Sequence, residues 1–103
     1  MNKLYGMIGL CARAGRLVTG EDAVIKLIRS GKAGIVFLDG STAPNGKKAI
    51  TDACNHYNVR LAILPEGAIG TYSGKSGRMS AATADESFAN RMIEIYDKLS
   101  GVD

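Results

Sequence analysis

The chain has 103 residues, of which 46% are hydrophobic and 22% charged, and its formal net charge is +3. This length fits a single domain, predicted over residues 1–103, and the composition is that of a globular chain rather than a disordered one. No apolar run reaches the roughly 18 residues that a membrane span requires. Arg13 ends the N-terminal apolar stretch too early for a signal peptide, so we expect a cytoplasmic protein.

Charge is distributed unevenly along the chain. Residues 1–78 contain eleven Lys and Arg against five Asp and Glu, whereas residues 79–103 contain two against five. A basic body followed by an acidic segment favours a polyanionic partner on one face.

Cys11 and Cys54 fall on apolar helix positions without CxxC spacing, so we expect two buried thiols and no disulfide framework.

Apolar spacing predicts that helices and strands alternate. In chain order, the predicted elements are a helix at 2–14, a very short strand at 17–18, a helix at 21–30, a strand at 35–38, a helix at 46–57, a strand at 59–64, a short helix from Pro65 to about Tyr72, a weaker strand at 79–83 and a last helix after Asp85. The buried run 35–38, the helix after it and the strand 59–64 form a βαβ unit, which implies parallel pairing. The full order predicts an α/β fold, a three-layer α/β/α sandwich.

Several residues are candidates for helix ends. Gly15 and Gly31 end the first two helices in the manner of C-terminal caps. Thr19 with Asp22 resembles a capping box at the start of the second helix, and Asp85 is expected to cap the last helix. The inner side of the second helix is expected to hold Ala23, Val24, Leu27 and Ile28.

Enzyme signatures are absent from the sequence. The single histidine, His56, stands at the end of a predicted helix, where a surface or helix-capping role is expected. No Cys/His cluster has zinc spacing, and no carboxylate pair has an acid–base context. The segment around Gly74 ends like a phosphate loop, but Ile69 occupies the position of the first glycine. We therefore expect a protein that is not an enzyme and uses no cofactor or metal.

Two segments carry chemistry that suits RNA. Helix N-terminal amides attract phosphate, a lysine one turn later can neutralise it, and a carboxylate can accept hydrogen bonds from guanine. A second, glycine-flanked basic loop ends in an apolar residue. The candidate RNA-binding residues in the two segments are Gly20, Glu21, Asp22, Lys26, Lys75, Arg78 and Met79. The alternative is a capped helix and a solvated turn without a ligand.

The sequence also resembles a known family. Residues 8–24, IGLCARAGRLVTGEDAV, are similar to the pattern LGLAxRAGKLVSGEExV of the small bacterial YlxQ-type proteins. Residues 28–38 are similar to their IRxGKAKLVxLA segment, residues 69–75 to LGxxxGK, and residues 83–89 to TDxxFA. Over about residues 3–95 the chain therefore resembles the kink-turn RNA-binding ribosomal proteins of the L7Ae and L30e type.

This resemblance implies a four-stranded mixed sheet and binding of structured RNA, typically a kink-turn with tandem sheared G·A pairs. In the family, a G-x-N-E-x-x-K segment reads two guanines and the backbone, and the loop before the last strand packs on a flipped-out nucleotide. Gly20 and Lys26 match this segment, whereas Asp22 replaces the asparagine and Ala23 the glutamate. Glu21 is the neighbouring carboxylate that can stand in. Met79 is the one large apolar residue of the loop, which implies more phosphate contact there.

Two hypotheses of different classes follow. The first is a monomeric, ribonucleoprotein-type binder of kink-turn or ribosomal RNA, with the ribosome as a further partner. Its additional phosphate candidates are Arg16, Lys32, Lys47 and Lys48. The second is a protein-interaction module that kept the fold and lost specific RNA recognition, which the missing Asn-Glu pair favours.

Overall fold

The computed structural model describes residues 2–99 and 101, in which helices and strands alternate. The elements are α1 Asn2–Arg13, β1 Val18–Thr19, α2 Glu21–Arg29, β2 Ile35–Asp39, α3 Pro44–Tyr57, β3 Arg60–Leu64, α4 Ala68–Ser73, β4 Ser80–Thr83 and α5 Glu86–Leu99. This order confirms the predicted succession of elements. The largest shift is at α4, which begins after Gly67 adopts a left-handed conformation rather than at Pro65.

The four strands form one mixed sheet in the order β1-β4-β2-β3. β2 and β3 run parallel, with Ile35 opposite Arg60 and Asp39 opposite Leu64. This confirms the predicted βαβ unit. β4 is antiparallel to both β1 and β2, so the last strand of the chain lies between two earlier ones. That insertion places the start of α2 next to the loop that precedes β4.

Helices cover both faces of the sheet, which confirms the three-layer sandwich. Phe37 packs with α1, α4 and α5 on one face, and Val36 packs with α2 and α3 on the other. All five residues of β2 are buried, as expected of its continuous apolar run. Cys11 and Cys54 are buried, one on each face, and burial raises the pKa of the Cys54 thiol to about 11. Both thiols are therefore core residues.

Two predicted helix ends are confirmed. The chain leaves α1 through Gly15, whose φ is +72°. The amide of Arg16 donates to the Cys11 carbonyl at 3.0 Å, which with a 3.0 Å bond from Gly15 forms a Schellman cap. At the start of α5, Asp85 Oδ1 accepts a hydrogen bond from the Phe88 amide at 3.0 Å.

Two expectations about α2 are wrong. The N-cap is Gly20, and no side chain caps the helix, so Thr19 and Asp22 do not form a capping box. Thr19 is instead the last residue of β1, and Gly20 turns the chain from strand into helix within one residue. Ala23 is exposed rather than on the inner side, because the buried face of α2 is centred on Val24.

His56 is exposed in the last turn of α3, as predicted. Within residues 2–99 and 101, the helices are too short or too polar to cross a membrane. In the same part of the chain, no three His, Cys, Asp or Glu side chains gather as a metal site would need.

Candidate nucleic-acid interface

The start of α2 and the loop of residues 74–79 lie against each other. The amide of Gly20 donates to the Ser80 carbonyl at 3.0 Å, which joins the two segments through the sheet. A Cβ added at Gly20 would lie 2.7 Å from Arg78 Nη1. The guanidinium of Arg78 therefore occupies the space that the missing side chain leaves. Two segments that are 50 or more residues apart in sequence form one surface.

Between this surface and the start of α3 lies an open cavity of about 530 Å³, here called the α2–α3 cavity. Four of the predicted residues line it, namely Gly20, Glu21, Arg78 and Met79. The opposite wall was not predicted from the sequence, and it includes Thr42, Ala43, Gly46 and Ile50. One signal could have found this wall, because ligands of α/β sheets commonly bind at loops that follow parallel strands, and these residues follow β2.

Glu21 is the carboxylate that faces the α2–α3 cavity. Its Oε1 would lie only 2.7 Å from a Cβ added at Gly46, in the first turn of α3. The absence of a side chain at Gly46 therefore leaves room for this carboxylate. Asp22 is exposed on α2 and does not line the cavity. The geometry thus distinguishes two adjacent carboxylates that the sequence leaves equivalent.

The predicted cations differ in whether they form ion pairs or hydrogen bonds with other residues. Lys26 is exposed on the outer surface of α2 and does not line the cavity. Arg78 is exposed at the edge of the cavity. Neither takes part in an ion pair within the described residues, and the same holds for Lys32. The other three weaker candidates have partners: Arg16 lies 3.9 Å from Asp85, Lys47 donates to the Gly40 carbonyl at 3.1 Å, and Lys48 pairs with Asp52 at 2.8 Å. Lys26 and Arg78 therefore offer the more available charges.

Lys75 lies on the other side of the loop from Arg78. It lines a separate depression of about 330 Å³ together with Arg13 and Thr19. Gly74 and Gly77 have φ values of +76° and +82°, and these left-handed turns let the loop present its two cations on opposite sides. The structure therefore brings four of the seven predicted residues to one cavity. Asp22 and Lys26 are exposed elsewhere on α2, and Lys75 lines the separate depression.

Asp39 holds the loops around the cavity in place. Its buried carboxylate accepts hydrogen bonds from the Ser41 amide at 2.7 Å, the Ser41 hydroxyl at 2.6 Å and the Gly67 amide at 2.9 Å. Its own amide donates to the Met79 carbonyl at 2.8 Å. Burial raises the pKa of this carboxyl, but the hydrogen bonds from Ser41 and Gly67 outweigh burial and hold the pKa below its ordinary value. Asp39 thus connects three loops at one end of the sheet.

Comparison with known proteins identifies the family of the chain. Residues 2–93 match the model of the Ribosomal protein L7Ae/L30e/S12e/Gadd45 family. The chain belongs to this family, which confirms the resemblance found in the sequence.

Two relatives are named RNA-binding protein YlxQ. The one from Bacillus subtilis (strain 168) is 38% identical over 94 residues, which cover 90% of this chain and 94% of the relative. The one from Enterococcus faecium is 35% identical over 96 residues, which cover 92% of each chain.

Solved structures give the same fold. A Bacillus halodurans C protein with unknown function superimposes with a TM-score of 0.88 at 28% identity, over 94% of this chain and 99% of that one. The Giardia lamblia 15.5kD RNA binding protein gives a TM-score of 0.77 at 18% identity, over 97% of this chain and 87% of that one. The latter likeness concerns the fold alone.

Proposed function

We propose that this protein binds structured RNA without catalysing a reaction, as a single-domain cytoplasmic monomer. The RNA is a kink-turn or a related element of ribosomal or other stable RNA. The observation that carries the proposal is the contact between Gly20 and Arg78, which unites the two predicted RNA segments along one cavity. The names of the two relatives support RNA as the partner.

The chemistry of the α2–α3 cavity suits a guanine-rich kink. The carboxylate of Glu21 can accept hydrogen bonds from guanine amino and imino groups, which takes over the accepting part of the readout by the family's Asn-Glu pair. The backbone amides at the start of α2 can bind an anion such as an RNA phosphate. Arg78 and Lys26 supply charge for the backbone phosphates on either side.

The apolar part of the cavity can receive an unstacked base. Met79 is 36% exposed at its edge, and Ala43 is exposed in the opposite wall, next to the start of α3. Apolar and aromatic surfaces of this kind stabilise bases that have left a stack. The wall formed by α3 compensates for the small number of large apolar residues in the loop of residues 74–79.

The second candidate is a protein-interaction module without specific RNA recognition. Asp22 and Ala23 favour it, because neither side chain can reproduce the two-guanine readout of the family. The carboxylate of Glu21 in the cavity opposes it, and so does Arg78, which forms no ion pair with the residues that the structure describes. Binding that is weak and indifferent to RNA shape would favour the module.

We expect Lys26→Ala and Arg78→Ala each to weaken binding of a kink-turn RNA. Each change should also lower the slope of log K against log salt by about one unit, because one phosphate contact is lost. Gel-shift titrations at several salt concentrations measure both quantities. Lys3→Ala and Arg91→Ala are controls for the loss of a cation, since both side chains are exposed in a depression between α1 and α5, away from the cavity; Arg91 also pairs with Glu94 at 2.7 Å. An unchanged affinity and slope for either test variant would remove that residue from the site.

A further inference from the structure

We infer that Arg13 and Lys75 form a second phosphate-binding surface, which holds the backbone of an RNA stem as it leaves the α2–α3 cavity. The surface is the depression of about 330 Å³ between the end of α1 and the loop of residues 74–79. This inference rests on the proposed function and extends it. It assigns a role to Lys75, which the structure separates from the other predicted residues, and to Arg13.

Arg13 is held in the depression by the packing of α1 on α4. Tyr5, Gly9 and Arg13 follow one another at four-residue intervals, so they share one face of α1. The ring of Tyr72 in α4 stacks on that of Tyr5 at 4.2 Å between centroids. A Cβ at Gly9 would lie 3.4 Å from the Tyr72 carbonyl oxygen and 3.3 Å from Arg13 Nη1. The guanidinium is therefore folded back over Gly9, toward the end of α4.

Lys75 lies on the other side of the depression from Arg13, in the loop of residues 74–79. Its amide donates to the Ser73 hydroxyl at 3.2 Å, which fixes the start of the loop against the end of α4. Thr19 and Ser73 add hydroxyl groups to the same depression. Arg13 and Lys75 thus approach one shallow depression from two different elements.

The charged side chains of the depression favour an anion. Its lining holds two cations and no carboxylate. Across residues 2–99 and 101, neither Arg13 nor Lys75 forms an ion pair. A phosphate in the depression could accept charge-assisted hydrogen bonds from the guanidinium and from the ammonium, and such bonds are stronger than those between neutral groups.

Neighbouring residues of the chain line the depression and the proposed RNA site. Thr19 lines the depression, and Gly20, the next residue, lines the α2–α3 cavity. Lys75 and Arg78 belong to the same loop and lie on its two sides. An RNA bound in the α2–α3 cavity would cross β1 or the loop to reach Arg13. The occupant we assign is therefore the backbone of a stem next to the kink rather than a separate ligand.

The test uses the full chain and the double variant Arg13→Ala/Lys75→Ala. Two RNAs share one kink-turn, the first with both stems extended and the second with stems trimmed to the minimum. On the extended RNA, a fourfold rise in salt should weaken wild-type binding about tenfold more than binding of the double variant, because about two phosphate contacts are missing. On the trimmed RNA the two proteins should bind alike. Lys3→Ala/Arg91→Ala is the matched control and should behave like the wild type.

Three results would overturn the inference. One is equal affinity and salt dependence of wild type and double variant on the extended RNA. Another is an equal loss on both RNAs, which would place the two cations at the kink itself. The third is a loss of thermal stability without a change in RNA binding, which would assign Arg13 to the C-terminal dipole of α1.

The same experiment distinguishes failure of the proposed function from failure of the second phosphate-binding surface. If Arg78→Ala weakens binding of both RNAs while the double variant matches the wild type, the cavity stands and the second surface is rejected. If the wild type binds neither RNA, both are rejected.

Discussion

Gly20→Ala is expected to lower the free energy of unfolding by about 1–3 kcal/mol and to weaken RNA binding at the same time. Gly20 has φ 98° and ψ 146°, a backbone conformation that is essentially confined to glycine. The new methyl group would also lie 2.7 Å from Arg78 Nη1, so the guanidinium must leave its place beside α2. One substitution therefore strains the turn into α2 and displaces a phosphate-binding group.

Urea unfolding of four proteins separates the two effects. The wild type, Gly20→Ala, Arg78→Ala and the double variant form a double-mutant cycle. Backbone strain predicts that Gly20→Ala costs nearly the same stability with or without the Arg78 side chain. Gly6→Ala is the control, because Gly6 is exposed in α1 with open space around its Cβ position, and it should gain about 0.5–1 kcal/mol. A Gly20→Ala protein as stable as the wild type would contradict the assigned backbone conformation.

Asp39→Ala is expected to destabilise the protein by about 3–5 kcal/mol. The substitution leaves the Ser41 and Gly67 amides without their charged acceptor, at a residue that is 1% exposed. Two loops beside the cavity would lose their common anchor. Urea unfolding at neutral pH measures the loss. Asp52→Ala is the matched control, since Asp52 lies on the surface and pairs only with Lys48, so it should cost less than about 1 kcal/mol.

The contribution of Asp39 should depend on pH in a defined direction. Its pKa is lower in the folded protein than in the unfolded chain, so the folded state binds fewer protons. The carboxylate therefore stabilises the fold above the unfolded pKa of about 3.9, and this stabilisation is lost as the pH falls through the folded pKa. The difference in stability between the wild type and Asp39→Asn should shrink on acidification below about pH 4. A difference that stays constant down to about pH 2 would contradict this role.

Much of the fold could be predicted from the sequence, because these strands and helix ends depend on residues that are close together in the chain. The run Ile35–Leu38 is apolar at every position and became a strand buried on both faces. Gly15 and Asp85 act through bonds within a few residues of themselves, and both helix ends formed as expected. Thr19 does not cap α2, because its pairing with the distant strand β4 keeps it in β1. Here a contact between residues far apart in the chain overrides the local preference.

The arrangement of the candidate site could not be read from the sequence. The pairing of β4 with β1, which is part of the insertion of β4 between β1 and β2, joins residues more than 60 positions apart and brings Arg78 to Gly20. The choice between Glu21 and Asp22 depends on the space left at Gly46, in another helix. The separation of Lys75 from Arg78 depends on two left-handed glycines within one loop. Each of these is a tertiary relation that apolar periodicity does not encode.

The most direct test compares two RNAs in gel-shift titrations at two salt concentrations. One RNA carries a kink-turn, and in the other Watson–Crick pairs replace the tandem G·A pairs. The proposed readout by Glu21 predicts that the wild type binds the kink-turn RNA about tenfold or more tightly than its control, that Glu21→Ala removes the preference, and that Asp22→Ala keeps it. Equal and strongly salt-dependent binding to both RNAs, or binding to neither, would contradict recognition of a kink-turn by the α2–α3 cavity.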